Sequence, residues 1–267
     1  MIKKQSVARQ EWISACEFHP LSGKEVLREV CSRIAQFSRP VVLLDLDSTV
    51  YNVGPRSFQI LKDWVQDSST KCPLEIQKAV FQLENEELGY SVLDVFSTFH
   101  LALQKWAVQK ELDSAQSFWW DRFFTHSYLT YDRPYLGAAE FTQQLHQLGA
   151  EMVYLTGRDA CKMGDGTRTN LIRDGFAWGT ERTHLLLKSS LNVGDLEHKR
   201  AAAEWIQNRG TLVASFENEP SNLVALQEIF PQAMHIFVDT VCSQTPAQPT
   251  RDIYRISHLD WVLSGGK

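Results

Sequence analysis

Five short apolar runs punctuate the chain: VVLLDL (41–46), EMVYL (151–155), THLLL (183–187), TLVASF (211–216) and MHIFV (234–238). Runs apolar on both faces leave no side for water, so they predict strands covered on both faces by helices, the condition of a parallel sheet. Stretches with helical spacing part the later runs, namely GAAEFTQQLHQLG (137–149), TRTNLIRDGF (167–176), LEHKRAAAEWIQNRG (196–210) and PSNLVALQEIF (220–230), and several end near a glycine suited to a C-cap. Strand, helix and parallel strand connect with right-handed crossovers, so the expectation is a three-layer, Rossmann-like α/β fold. Such sheets gather their chemistry beyond the carboxyl ends of the strands, here the first, second and fourth.

Ahead of the first run, apolar positions at helical spacing (Val26, Leu27, Val30, Ile34, Phe37) stop at Arg39-Pro40, so two helices are expected to lead into the first strand. Residues 54–132 break the strand–helix rhythm. They read as four amphipathic helices, around 55–67, 73–88, 91–110 and 113–127, and predict an inserted helical cap on a core made of 1–53 and 133–267. The cap is dense in aromatics, among them Trp64, Trp106, Trp119 and Trp120, which suit the interior of a helix bundle better than a substrate box. Gly54-Pro55 and Asp132-Arg133-Pro134 stand where helix and strand patterns stop, and are the expected hinges of a mobile lid. The tail from Ser243 to Arg251, with Pro246 and Pro249, reads as a surface linker before a short final helix ending at Leu263.

A chain of 267 residues with 43% hydrophobic content can bury a sizeable core. Its formal charge of −5 supplies no basic field to draw it onto nucleic acid or an anionic membrane, so a small substrate is expected instead. Five scattered cysteines with no C-x-x-C pair suggest neither a disulfide framework nor a zinc site, and a reducing cytoplasm is the expected home. No run of 18 apolar residues occurs, so membrane insertion is not expected.

Four strand-end stretches carry candidate chemistry. Asp45-Leu46-Asp47-Ser48-Thr49 sets two carboxylates two residues apart directly after a buried strand, where like charges need a cation or a shared proton. Magnesium, a hard cation that takes few protein oxygens, meets that need; one carboxylate can attack phosphorus while the other moves a proton. A calcium loop is excluded, because the sixth position is Val50 and the twelfth Arg56. Tyr154-Leu155-Thr156-Gly157-Arg158-Asp159 offers a hydroxyl, a close-approach glycine and a guanidinium for an anion. Asp195-Leu196-Glu197-His198-Lys199 opens a helix with a lysine that can neutralise a phosphoryl group and an aspartate four residues earlier to hold the ammonium. Lys188 competes with Lys199 for this role. Glu217-Asn218-Glu219-Pro220-Ser221-Asn222 supplies an acid for an oxygen cage, with Asn218 and Asn222 to orient ligands or water, and also makes a good helix start.

These four ordered motifs, DLDST, YLTGR, Lys199 and FENEP, resemble those of the haloacid dehalogenase superfamily over about Val41 to Val238. The resemblance implies a core with strand order 3-2-1-4-5 and a type-one helical cap. It implies Asp45 as nucleophile and Asp47 as general acid and base, with the Asp47 main-chain carbonyl on the metal. Thr156 and Lys199 become catalytic phosphate-binding groups, joined at the phosphate by Gly157, Arg158 and Lys188. Glu217 joins Asp45 and Asp47 in holding Mg2+, while Asp195, Asn218 and Asn222 support from behind. The family more often has aspartate at the Glu217 position. The Asp195/Lys199 spacing with Thr156-Gly157-Arg158 is also similar to the 3′-phosphatase domain of polynucleotide kinases, from which the long insert departs. An acid two residues after the nucleophile favours phosphate esters, whose leaving alkoxide needs a proton. The expected activity is therefore magnesium-dependent hydrolysis of a small phosphorylated metabolite through an aspartyl-phosphate. The alternatives are a catalytically silent phosphate-binding or regulatory protein, or another chemistry of the family such as phosphotransfer or 3′-phosphate removal from nucleic-acid ends.

Overall fold

The structure is a computed structural model describing residues 9–82, 109–190, 192–243 and 245–259. The chain divides into two compact units, one of Met1–Tyr51, Pro134–Ala160 and Leu171–Lys267, the other of Asn52–Arg133 and Cys161–Asn170.

In the first unit, α1 (Arg9–Ala15), β1 (Glu17–Phe18) and α2 (Gly23–Ile34) precede β2 (Pro40–Leu44). A reciprocal capping box starts α2: Glu25 N–H donates to Ser22 Oγ at 3.4 Å, and Ser22 N–H donates to Glu25 Oε2 at 2.8 Å. A short ribbon of β3 (Tyr51–Asn52) and β4 (Arg133–Pro134) stands where the chain passes between units. Beyond β4 come α6 (Ala138–Gln147), β5 (Glu151–Asp159), α7 (Ala160–Arg173), β6 (Thr183–Lys188), α8 (Asp195–Arg209), β7 (Thr211–Glu217), α9 (Pro220–Ile229), β8 (Met234–Val238) and β9 (Arg251–Ile256).

Among the described residues, seven strands form one sheet in the order β1-β9-β8-β7-β2-β5-β6, and the pairings are parallel. The five apolar runs thus stand third, second, first, fourth, fifth, the order that the resemblance implies. β2 and β8 are buried along their whole length, which is why they carry apolar residues on both faces. Val41 and Leu43 of β2 pack with Val153, Leu155, Ala203, Ile206, Leu226 and Phe230 in one core cluster. Toward the β1 edge of the sheet Trp12 packs with Leu223, Phe237 and Ile253, its ring centroid 5.1 Å from that of Phe237 and its Nε1 donating to Gln248 O at 2.8 Å.

The start of the central pair needs a residue without a side chain. A Cβ on Gly210 would lie 2.1 Å from Arg39 O, and Thr211 N–H donates to that same oxygen at 2.9 Å. Close backbone approach at this point sets β7 beside β2, with Pro40 opposite Thr211.

The fold differs from the expectations above in four places. The tail holds a sheet strand, β9, where a linker leading to a helix was expected, and the edge strand β1 was not expected at all. The second apolar run extends through Thr156 to Asp159, four residues further than its apolar pattern, because β5 pairs again with β6 at Asp159 and Lys188 after a register shift. Its following helix starts at Ala160 rather than near Thr167, and residues 161–170 of it group with the second unit.

The second unit holds α3 (Gly54–Gln66), α4 (Leu74–Gln82) and α5 (Gln109–Phe123). The helix expected over 91–110 lies almost wholly outside the described residues, as do the end of the 73–88 helix and the final helix at Leu263. Trp119 Nε1 donates to Ser57 Oγ at 3.0 Å and its ring lies 4.4 Å from that of Phe123, so these aromatics fill the interior between α3 and α5. Arg56 stacks over Phe123 at 4.3 Å and forms a wholly buried ion pair with Asp132. Among the described residues, no helix is long and apolar enough to cross a membrane.

Candidate active site

Asp45 follows directly on β2, and its N–H donates to Phe216 O of β7 at 3.0 Å, which carries it level with Glu217 on the neighbouring strand. The loop after it is a tight turn gathered on one carbonyl: Leu46 O accepts from the N–H groups of Thr49, Val50 and Tyr51 at 3.2, 3.0 and 2.9 Å. Ser48 takes a left-handed conformation there, at φ 61°, a strained choice for a residue other than glycine. The turn sends Thr49 back beneath Asp45, so that Thr49 Oγ1 lies 3.2 Å from Asp45 Oδ2.

Lys199 reaches the same carboxylate from α8. That helix buries Lys199, Ala202, Ala203 and Ile206, one stripe at helical spacing, so the lysine occupies a core-facing position. Its Nζ donates to Asp45 Oδ1 at 2.8 Å and also to Glu217 Oε2. Glu217 is fully buried, and its other oxygen, Oε1, accepts from Glu219 N–H at 3.0 Å.

Two buried carboxylates therefore share one ammonium. Burial, then the charge of Glu217, push Asp45 up to about 8 against the pull of Lys199. Burial also raises Glu217. Burial alone would lower Lys199, but the charges of Asp45 and Glu217 outweigh it and raise the lysine. The trio holds one negative charge in excess, which a proton or a cation can cancel.

A second constellation fixes Asp47. Arg158, whose side chain is fully buried, donates from Nε to Asp47 Oδ1 at 3.1 Å and from Nη2 to the same oxygen. The sequence reading gave Arg158 to a phosphate; in the fold it grips Asp47, which keeps 18% of its side chain exposed. Thr156 is buried in β5, beside β2, and its Oγ1 accepts from Arg158 N–H at 3.4 Å.

The third constellation corrects an expected pairing. Asp195 does not hold Lys199; its Oδ1 lies 2.5 Å from Lys188 Nζ, which also donates to Val193 O at 2.8 Å. A Cβ on Gly157 would meet Asp195 Oδ1 at 2.7 Å, so the glycine makes room for this ion pair beside the Thr156 turn. Of the two candidate lysines, it is Lys199 that touches Asp45.

Asn218 enters through Thr49, whose Oγ1 lies 2.9 Å from Asn218 Oδ1. The amide is oriented by its own Nδ2, which donates to Val241 O at 2.6 Å. Asn222 is buried in the first turn of α9, with its N–H on Glu219 O at 3.1 Å. Thr49, assigned no role from sequence, turns out to link Asp45 to Asn218; its place four residues after Asp45 was the available signal.

Among the described residues, no group of three His, Cys, Asp or Glu side chains is arranged to hold a metal ion. The oxygens present nonetheless suit magnesium, which takes one or two carboxylates with neutral oxygens and water. Thr49 Oγ1 is the hydroxyl donor toward both Asp45 Oδ2 and Asn218 Oδ1, so three oxygens gather on one side of the nucleophile candidate.

No protein-family model matches the sequence, and no curated protein matches it. Solved structures similar to the chain include phosphatases and hydrolases. A haloacid dehalogenase-like family hydrolase from Streptococcus pneumoniae is 11% identical, with 85% of this chain and 98% of that chain covered at a TM-score of 0.47. A predicted phosphatase from Clostridium acetobutylicum is 13% identical, with 83% and 95% covered at 0.47. A class C acid phosphatase from Bacillus anthracis is 15% identical, with 94% and 86% covered at 0.39. Identities and TM-scores this low leave function to be read from the side chains.

Proposed function

We propose that the chain is a phosphomonoester hydrolase of the haloacid dehalogenase type, acting on a small phosphorylated metabolite with Asp45 as its nucleophile. What carries this reading is the division between the two carboxylates. Asp45 is buried with one oxygen on Lys199 and the other facing Thr49, whereas Asp47, two residues on, is held by Arg158 and stays partly open to solvent.

In the first step an Asp45 oxygen attacks phosphorus, the bond from phosphorus to the ester oxygen breaks, and the leaving alkoxide takes a proton from Asp47. In the second, Asp47 takes a proton from water, the resulting hydroxide attacks phosphorus, and the bond to Asp45 breaks, which frees phosphate, restores the Asp45 carboxylate and leaves Asp47 protonated for the next turnover. Lys199 offsets charge on the phosphoryl oxygens while it fixes the orientation of Asp45. Thr156, with the backbone at Gly157, is the proposed anchor for a phosphoryl oxygen. Arg158 holds Asp47 in one rotamer, so the proton donor is ready in place. Asp45, the Asp47 main-chain carbonyl and an oxygen of the 217–218 turn would hold Mg2+, which supplies positive charge to the transferring group.

Turnover of an aryl phosphate tests the reading. Asp45→Asn is expected to lower kcat by at least about a thousandfold, and Asp47→Asn to accumulate phosphoenzyme detectable by intact-protein mass. Full activity in Asp45→Asn would overturn the mechanism.

A further inference from the structure

The acid that opens the fourth motif and the amide that follows it have separate tasks. Glu217 has both oxygens committed within the protein, Oε2 to Lys199 Nζ and Oε1 to Glu219 N–H, and is fully buried. Asn218 has its Nδ2 committed to Val241 O, which turns its Oδ1 toward the Thr49 hydroxyl that also approaches Asp45 Oδ2. The face of Asp45 toward Lys199 is thus closed by a cation already in the protein, and the face toward Thr49 opens onto neutral oxygens. A divalent cation added beside Lys199 would meet the ammonium at close range; added beside Thr49, it would gain two oxygens that now compete for one proton.

We infer that Glu217 is a positioning residue for Lys199, and that Asn218 Oδ1, with Asp45 Oδ2, binds the magnesium ion. This rests on the site being a magnesium phosphatase, and it departs from the role that the family resemblance gives Glu217. A neutral amide in place of a carboxylate leaves the cation with less protein charge, so magnesium is held more weakly and exchanges more readily than in a site with an added acid.

Calorimetric titration of MgCl2 into the chelator-stripped full chain decides the assignment without any turnover. Asn218→Ala is expected to weaken magnesium binding at least about tenfold, and the isosteric Asn218→Asp, which keeps the shape and adds charge, to tighten it. Lys199→Met combined with Glu217→Gln removes one charge of each sign and is expected to leave the affinity within about threefold. A tenfold loss in that double variant, unchanged affinity in both Asn218 variants, or no magnesium binding by the unaltered chain would each overturn the inference.

Turnover then reads the positioning role. Glu217→Gln is expected to lower kcat by about a hundredfold at nearly unchanged KM, and to cost nothing further once Lys199→Met is present. Additive losses would overturn the role assigned to Glu217. Magnesium binding as expected in a chain that hydrolyses no phosphate ester would leave the metal assignment standing and sink the phosphatase reading instead.

Discussion

The guanidinium of Arg56 and the carboxylate of Asp132, 76 residues apart in sequence, meet through two hydrogen bonds of 2.7 and 2.6 Å, with neither side chain exposed. The pair closes the second unit on itself. Arg56 stands two residues inside the start of α3, and Asp132 stands just before β4, so a bidentate contact ties the first turn of α3 to the residue that leads into β4. Arg56 also donates from Nη1 to Phe123 O at 3.3 Å, which adds α5 to the knot.

Breaking that pair from one side is therefore expected to cost about 3–5 kcal/mol, because the remaining charge is buried without its partner. Chemical denaturation of Asp132→Ala should lose this much, while Arg56→Met with Asp132→Leu should recover most of it. Equal losses in both variants would show that the contact contributes packing alone.

The metal-free site makes stability depend on pH. Asp45 is pushed up to about 8 by burial and by Glu217, above an unfolded value of about 3.9. The folded chain then holds a proton that the unfolded chain releases, so this contribution is complete below about pH 4 and is lost as pH rises through 8. Burial lowers His235, which has the opposite sign but acts only below about pH 6.5. The melting temperature in EDTA is thus expected to fall between pH 7 and 9, and Asp45→Asn should flatten that fall. An unchanged slope in the variant would remove Asp45 as its source.

Gly210 offers a test of the fold itself. A methyl group placed 2.1 Å from Arg39 O has no room unless β2 and β7 part, so Gly210→Ala is expected to lose several kcal/mol, on the order of 3. Urea melts would measure it, and a loss below about 1 kcal/mol would mean that the strand starts can yield.

Arg158 and Asp47 should act as one unit in turnover. Arg158→Lys keeps the charge but loses the two-nitrogen grip on Asp47 Oδ1, and is expected to lower kcat tenfold or more. Once Asp47→Asn is present, the change should add little. Independent losses would move Arg158 from Asp47 to the substrate.

The fold was legible where burial is uniform. β2 and β8 advertise themselves because water touches neither face, whereas β9 does not, since its buried residues Ile253, Tyr254 and Ile256 follow exposed Arg251 and Asp252 and are interrupted by exposed Arg255. Within the site, Asp45 and Lys199 could be found from strand-end and helix-start patterns. Their partners could not. Four-residue spacing suggested that Asp195 would hold Lys199, but Lys199 lies on the core-facing stripe of α8 while Asp195, at the first helical position, stays half-exposed and turns to Lys188. Which acid meets which lysine depends on how α8 lies across the strand ends, and no local pattern encodes that crossing.

The pairing of β1 with β9 has a consequence for biosynthesis. The first described strand to leave the ribosome finds its hydrogen-bonding partner only when the last described strand has been made. Until then Trp12 lacks Ile253, although Leu223, Phe237 and Gln248, which pack on its ring or accept its indole proton, have already been made. A nascent chain stalled before Arg251 carries β1 without its strand partner, so the amino-terminal segment acts as a latch that shuts after the rest of the sheet has formed. Contacts of such long sequence separation form slowly, and shutting the latch becomes a late step in maturation of the first unit.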